Sequence, residues 1–215
     1  MSLWDLLFLF IILASAIALV VILVNLILRR TRTALRILIT LASCLAIYFL
    51  IAAVSAISAP QRVLAMGQDR CFDELCFAVT GVKTAPSVGP SGREAKAAGQ
   101  FYMVTVRMSS HARGRPQREL GVSASLIDSH GRTYRISQLG QNAYDSTNIS
   151  NPSLTSVIMP GESQSSVQVF DVSANASGLS LVFGHSGLGM LILGDEDSAL
   201  RKPAIIRLNP TSSPS

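Results

Sequence analysis

The chain has 215 residues, of which 49% are hydrophobic and only 14% charged. Ordinary soluble domains carry roughly 25% charged residues, so this composition excludes a uniformly soluble protein. The formal charge of +5 does not point to nucleic acid either. From residue 60 onward, fourteen basic side chains face twelve acidic ones, and the surplus sits in one short arginine-rich stretch. Nucleic-acid binding needs a clustered basic face on a folded domain.

Leu6 to Val24 runs without a charge, and the run extends to Leu28 across Asn25. Ile37 to Ala59 is a second uncharged run. A helix needs about 20 apolar residues to cross the hydrocarbon core of a bilayer. Both stretches therefore predict membrane-spanning helices, over about 6–28 and 37–59, and residues 1–59 form a hairpin in contact with lipid. Between them "RRTRTALR" supplies Arg29, Arg30, Arg32 and Arg36. Short loops rich in Lys and Arg remain on the cytoplasmic side, so these four set the topology. The loop 29–36 is expected inside, with the N-terminus and everything after residue 60 outside the cytoplasm; in a bacterium the membrane would be the cytoplasmic one. A second reading takes 37–52 as the apolar region of a cleavable signal, with "AVSAISA" as its small-residue cleavage region. Pro60, directly after Ala59, disfavours that cut, and either route leaves the C-terminal part outside. No ionisable group lies at the middle of either span, so the spans read as an anchor rather than a transport path.

Residues 60–100 form a juxtamembrane segment with a cysteine pair, a first strand and a loop. Cys71 and Cys76 flank "FDEL". Outside the cytoplasm thiols tend to be oxidised. No neighbouring His or Cys completes a zinc site, and the spacing is not that of a C-x-x-C redox pair. A disulfide is expected, and "FDEL" must bend sharply, because bridged Cα atoms lie within about 7 Å. Strand structure is expected from Phe77 through "CFAVTGV". Residues 84–99, "TAPSVGPSGREAKAAG", read as a loop from their Pro, Gly and Ser content.

The main body is expected over 101–209. "FYMVTVRM" alternates Phe101, Met103 and Thr105 against Tyr102, Val104, Val106 and Met108, a period of two that marks a strand. Val122–Ile127 and 133–136 flank the turn residues Asp128, Ser129, His130 and Gly131, which predicts a hairpin. A strand over Ser166–Val172 follows the turn "PGE". "LSLVFG", "GMLILG" and "AIIRLN" complete about eight strands, with no long amphipathic helix, and 210–215 is a tail. Many short strands with regular turn signals indicate an all-β sandwich or barrel.

Three stretches carry a resemblance: "GQFYMVTVRMSSHARG", "VSASLIDSHGRTYRIS" and "MPGESQSSVQVFDVSANASGLSLVF". Their order resembles a bacterial family of immunoglobulin-like β-sandwich domains of unknown function, found on lipoproteins and membrane-anchored extracytoplasmic proteins and sometimes mislabelled telomeric-repeat-binding factors. The resemblance spans roughly 71–208 and implies an immunoglobulin-like sandwich. It brings no catalytic residue.

Chemistry is sparse. His111, His130 and His185 share no spacing that suits a metal. "GHSGLG" places Leu188 where a nucleophile elbow needs glycine, and reads as a turn. The acidic run Asp195, Glu196 and Asp197 suits a solvated loop better than a Ca²⁺ site. Asn148-Ile-Ser and Asn175-Ala-Ser are glycosylation sequons only in a secretory eukaryotic host. No enzyme activity, cofactor or metal is expected. "SSHARGRPQRE" puts Arg113, Arg115 and Arg118 in a loop after a strand, where sandwiches often bind partners. The expected function is a membrane-anchored extracytoplasmic interaction module for an envelope protein, glycan or small ligand. The alternative is an accessory subunit whose hairpin packs against another membrane protein.

Overall fold

The computed structural model describes residues 3–185 and 200–208. An N-terminal helical unit reaches to Gln61, and a β-unit begins at Arg62. The segments "GMLILG" and 195–197, and the tail 210–215, lie outside the described residues, as does most of the turn "GHSGLG".

The helical unit is α1, Leu3–Ile27, and α2, Thr31–Ser58. Both are long and apolar enough to cross a membrane. The expected arginine loop is shorter than 29–36. Arg29 and Arg30 stand in the turn, whereas Arg32 and Arg36 already belong to α2. Within α1, the less exposed Ile11, Ser15, Ala18, Ile22 and Asn25 recur at steps of three and four. Ala34, Ile37, Leu41, Leu45, Tyr48, Ala52 and Ala56 do so in α2. Such spacing makes one stripe per helix. Two polar side chains bond back to their own helix: Asn25 Nδ2 donates to Val21 O (2.8 Å) and Thr40 Oγ1 to Arg36 O (3.0 Å). Each of these two donors is thus paired within the helix that carries it.

The β-unit holds nine strands among the described residues: β1 Val63–Leu64, β2 Arg70–Phe72, β3 Leu75–Val88, β4 Ala95–Ser110, β5 Val122–Ile127, β6 Thr133–Arg135, β7 Ser163–Val172, β8 Ser180–His185 and β9 Ile205–Arg207. They form a five-stranded sheet ordered β1-β9-β8-β5-β6 and a four-stranded sheet ordered β2-β3-β4-β7. Their inner faces share one core. Phe77, Val104, Val106 and Met108 come from the four-stranded sheet, and Leu126, Leu181, Phe183 and Ile206 from the other. Phe77 and Phe183 meet across the sheets with ring centroids 5.4 Å apart. This is a β-sandwich, with one parallel pair, β1 against β9.

Three local expectations need correction. Residues 84–99 are not a loop: β3 continues to Val88 and β4 starts at Ala95, paired Ser87 to Lys96 and Val88 to Ala95. Pro86 is accommodated because the ladder shifts register between Ala85 and Ser87. A proline cannot donate to a ladder, and bulges are where sheets tolerate it. Second, "FDEL" bends only at Asp73 and Glu74. Cys71 and Cys76 are direct cross-strand partners in the β2–β3 hairpin, and strand structure resumes at Leu75. Third, a ten-residue helix, α3, Gln138–Thr147, follows β6. Ser137 caps it by accepting from Gly140 N (3.2 Å). It packs on the outer face of the four-stranded sheet, where Ala143 and Tyr144 cover Phe101, Val169, Val88 and Ala95. The alternation read in β4 is correct, but Phe101 is buried by this helix rather than by the inter-sheet core.

Candidate functional site

β4 ends at the buried Ser110, whose N–H donates to Glu162 O (3.0 Å) and whose carbonyl accepts from Gly161 N (3.1 Å). The chain then leaves the sheet across the tip of the disulfide hairpin, where His111 N donates to Glu74 O (2.8 Å). Ala112 is buried, and Arg113, Gly114, Arg115 and Pro116 are exposed. Gly114 takes φ +97°, a left-handed value that a side chain opposes. The loop is fixed again at Gln117. Its backbone exchanges two 2.9 Å bonds with Ile158, and its Nε2 donates to Glu74 Oε2 (2.9 Å).

The three arginines expected to act together therefore divide. Arg118 Nε donates to Thr155 O (2.9 Å) and serves as a brace. Arg113 and Arg115 make no hydrogen bond or ion pair among the described residues. The result is a loop fixed at both ends that presents two unengaged guanidinium groups. Guanidinium suits planar, bidentate recognition of phosphate or carboxylate. Exposed apolar side chains lie next to the loop: Leu120 on it, and Val157 and Met159 on either side of the bridging Ile158.

The disulfide shapes this end. Cys71–Cys76 has its Cα atoms 3.9 Å apart and holds the hairpin whose tip supplies Glu74 to the loop. Cys44, in α2, is a free thiol. Beside the loop, an open cleft of about 350 Å³ is lined by Asp69, Arg107, Ser109, His111 and Glu162. Arg107 Nη2 pairs with Asp69 Oδ1 at 3.1 Å across it. The residues that brace the loop, Glu74, Thr155 and Ile158, escaped sequence reasoning, since each is more than 35 positions from its partner and no local pattern announces the contact.

A second polar cluster occupies the β5–β6 turn. Asp128 Oδ1 accepts from His130 N and Arg132 N, both at 2.9 Å, and Oδ2 accepts from Arg132 Nε (2.6 Å) and the Tyr134 hydroxyl (3.2 Å). Burial pushes the Asp128 carboxyl up, but the hydrogen bonds from Arg132, His130 and Tyr134 outweigh it and hold the pKa at about 2. Both oxygens are occupied, so this carboxylate closes a hairpin and has no lone pair directed at a substrate. His111 and His130 belong to these two separate clusters. Among the described residues no group of three His, Cys, Asp or Glu side chains is placed to hold a metal ion.

No protein-family model and no curated protein matches this chain. Solved structures similar to it include a conserved hypothetical protein from Bacillus anthracis (20% identity, 56% of this chain and 89% of that one, TM-score 0.44). An uncharacterised β-sandwich protein from Clostridium difficile shares 12% identity over 71% of this chain and 97% of its own, with a TM-score of 0.43. MPT63, a secreted protein from Mycobacterium tuberculosis, shares 17% identity over 71% of this chain and all of its own, with a TM-score of 0.42.

Proposed function

We propose that the chain is a membrane-anchored interaction module: a two-span hairpin that holds an immunoglobulin-like sandwich outside the cytoplasm, with the 111–121 loop as its working surface. One observation carries this reading. The loop is tied down at His111, Gln117 and Arg118, yet Arg113 and Arg115 between those ties are left unengaged. Ordering a loop costs roughly 1–2 kcal/mol per residue in backbone entropy alone. A braced loop that leaves two guanidinium groups out of its own fold is pre-organised for something outside it.

The test is site-specific photo-crosslinking of the full-length protein in its native membrane. A photoreactive side chain at position 115 should give a defined adduct, whereas one at position 130, in the Asp128 turn, should not. Equal labelling from both positions, or none from either, would sink the reading. The competing role, an accessory subunit gripped through its spans, makes the opposite forecast for an exchanged anchor. Replacing residues 1–59 by an unrelated hairpin should leave the adduct at position 115 in place for an interaction module and abolish partner recovery for an accessory subunit.

A further inference from the structure

Strand directions within the sandwich show which of its ends carries the loop. The chain arrives from α2 through only four residues, 59–62, and enters β1 at Val63. β1 runs parallel to β9, with Val63 opposite Ile205. β8 is antiparallel to β9, so its C-terminal residues lie toward the start of β1, with Val182 opposite Ile205 and His185 three residues further on. Val122, the first residue of β5, is opposite His185. Three residues of strand cover roughly 10 Å. The 111–121 loop therefore delivers the chain to β5 at the end of the sandwich where β1 begins, about 10 Å from Val63 along the sheet, on the side away from Leu64. The β2–β3 turn at Asp73 and Glu74 is at this end as well, because it touches the loop through His111 and Gln117. A tether of four residues spans at most about 14 Å.

We propose that this end seats on the anionic phospholipid headgroups of the same bilayer that holds the hairpin. The proposal rests on the interaction-module reading and names the partner of its working surface. The chemistry fits an interface. Arg113 and Arg115 offer unengaged guanidinium groups to phosphate, and Leu120 (71% exposed), Val157 (54%) and Met159 (49%) offer apolar tips beside them. Basic and apolar side chains together mark surfaces that lie in the headgroup layer. Among the described residues, three exposed carboxylates, Asp69, Asp73 and Glu162, lie at or beside this end; Asp69 is paired with Arg107, Glu74 is engaged by Gln117, and Glu119 accepts from Gly121 N. The attraction therefore acts at short range through the 113–116 stretch rather than through a net charge of the whole end.

Hydrogen exchange of the full-length protein in nanodiscs tests it. One set contains phosphatidylcholine alone, and the other equal parts phosphatidylcholine and phosphatidylglycerol. Amides of 111–115 should exchange more slowly in the anionic discs. That difference should vanish when salt shortens the Debye length to about 3 Å. At about fivefold per surface arginine, Arg113→Gln with Arg115→Gln should reduce the docked-to-free ratio about 25-fold. Neither side chain braces the loop, so exchange in β4 and β7 should not change and serves as the control for folding. Equal exchange in the two lipids, or anionic-lipid protection that survives the double substitution, overturns the proposal. If a protein adduct at position 115 persists alongside equal exchange, the interaction module stands and its lipid assignment falls.

Discussion

A buried carboxylate is tolerated when its lone pairs are taken, and Asp128 meets that condition with four donors on two oxygens. The consequence is a pH dependence with a definite sign. A carboxyl held at about 2 when folded and near 4 when unfolded stabilises the fold fully above about pH 4. That contribution is lost as the pH falls toward 2. Asp128→Asn should therefore lower the melting temperature at neutral pH and flatten its decline between about pH 4 and 2, as read by circular dichroism. A parallel decline in the two proteins would mean that Asp128 is not the titrating group. Gly140 is a steric counterpart. A Cβ there would meet Phe101 Cε1 and Val169 Cγ1 at 2.8 Å, so α3 can lie this close to the sheet only with glycine at that position. Gly140→Ala should destabilise by about 1–3 kcal/mol, measured by denaturant unfolding in detergent. No loss of stability would show that α3 does not pack as described.

Elements at sheet edges show how the fold avoids pairing with other chains. β7 is an edge strand, yet its outer backbone groups at Val167 and Val169 are occupied. Val167 N donates to Asn151 Oδ1 (2.7 Å), and Val167 O accepts from Asn151 Nδ2 and Gln141 Nε2, both at 3.0 Å. Val169 N donates to Gln141 Oε1 (2.9 Å), and Val169 O accepts from Ser137 N (2.8 Å). Two side-chain amides and a cap residue thus stand where a neighbouring strand would bind. β3 uses other means. β2 covers only Leu75–Phe77, and beyond it Lys83, Pro86 and two register shifts discourage addition of a strand. Gln141→Ala with Asn151→Ala should cost roughly 2–6 kcal/mol, since each substitution leaves strand groups unpaired. It should also promote self-association, visible by light scattering; a variant that stays as stable and monodisperse as the parent would refute the edge-blocking role. These elements also show what the sequence could reveal. The period of two in β4 was legible because the face from Tyr102 to Met108 is uninterruptedly apolar whereas the other passes to Thr105 and Arg107. The β3–β4 extension was not, because Pro86, Gly89 and Gly92 look the same in a bulged hairpin as in a loop. α3, "QLGQNAYDST", has too few apolar positions to announce a helix; its fold is fixed by Ser137 and by the sheet beneath it. For the loop, composition identified the arginines, but only the contacts with Glu74 and Thr155 separate the brace Arg118 from the free pair.

At the scale of the molecule, four arginines near the α1–α2 turn carry the proposed orientation. Lys and Arg within about 15–20 residues of a span's ends bias the side on which a loop stays, whereas acids contribute little. For this hairpin the competitors after the second span are Arg62 and Arg70. With Arg29, Arg30, Arg32 and Arg36 in place, the turn outweighs them, so protease added to outer-permeabilised cells should degrade the sandwich. Replacing all four by glutamine leaves Arg62 and Arg70 as the basic residues flanking the spans, and the bias reverses. A substantial fraction of that variant should then resist protease until the inner membrane is lysed. The cysteines report the same change independently. A sandwich retained in the cytoplasm meets a reducing pool, so Cys71 and Cys76 should be alkylated without prior reduction in the protected fraction and refractory in the accessible one. Agreement between the two readouts separates inversion from simple misfolding, because a misfolded sandwich on the outside remains exposed to protease. A quadruple variant with the parent's protease sensitivity and an intact disulfide would show that the turn arginines do not set the orientation.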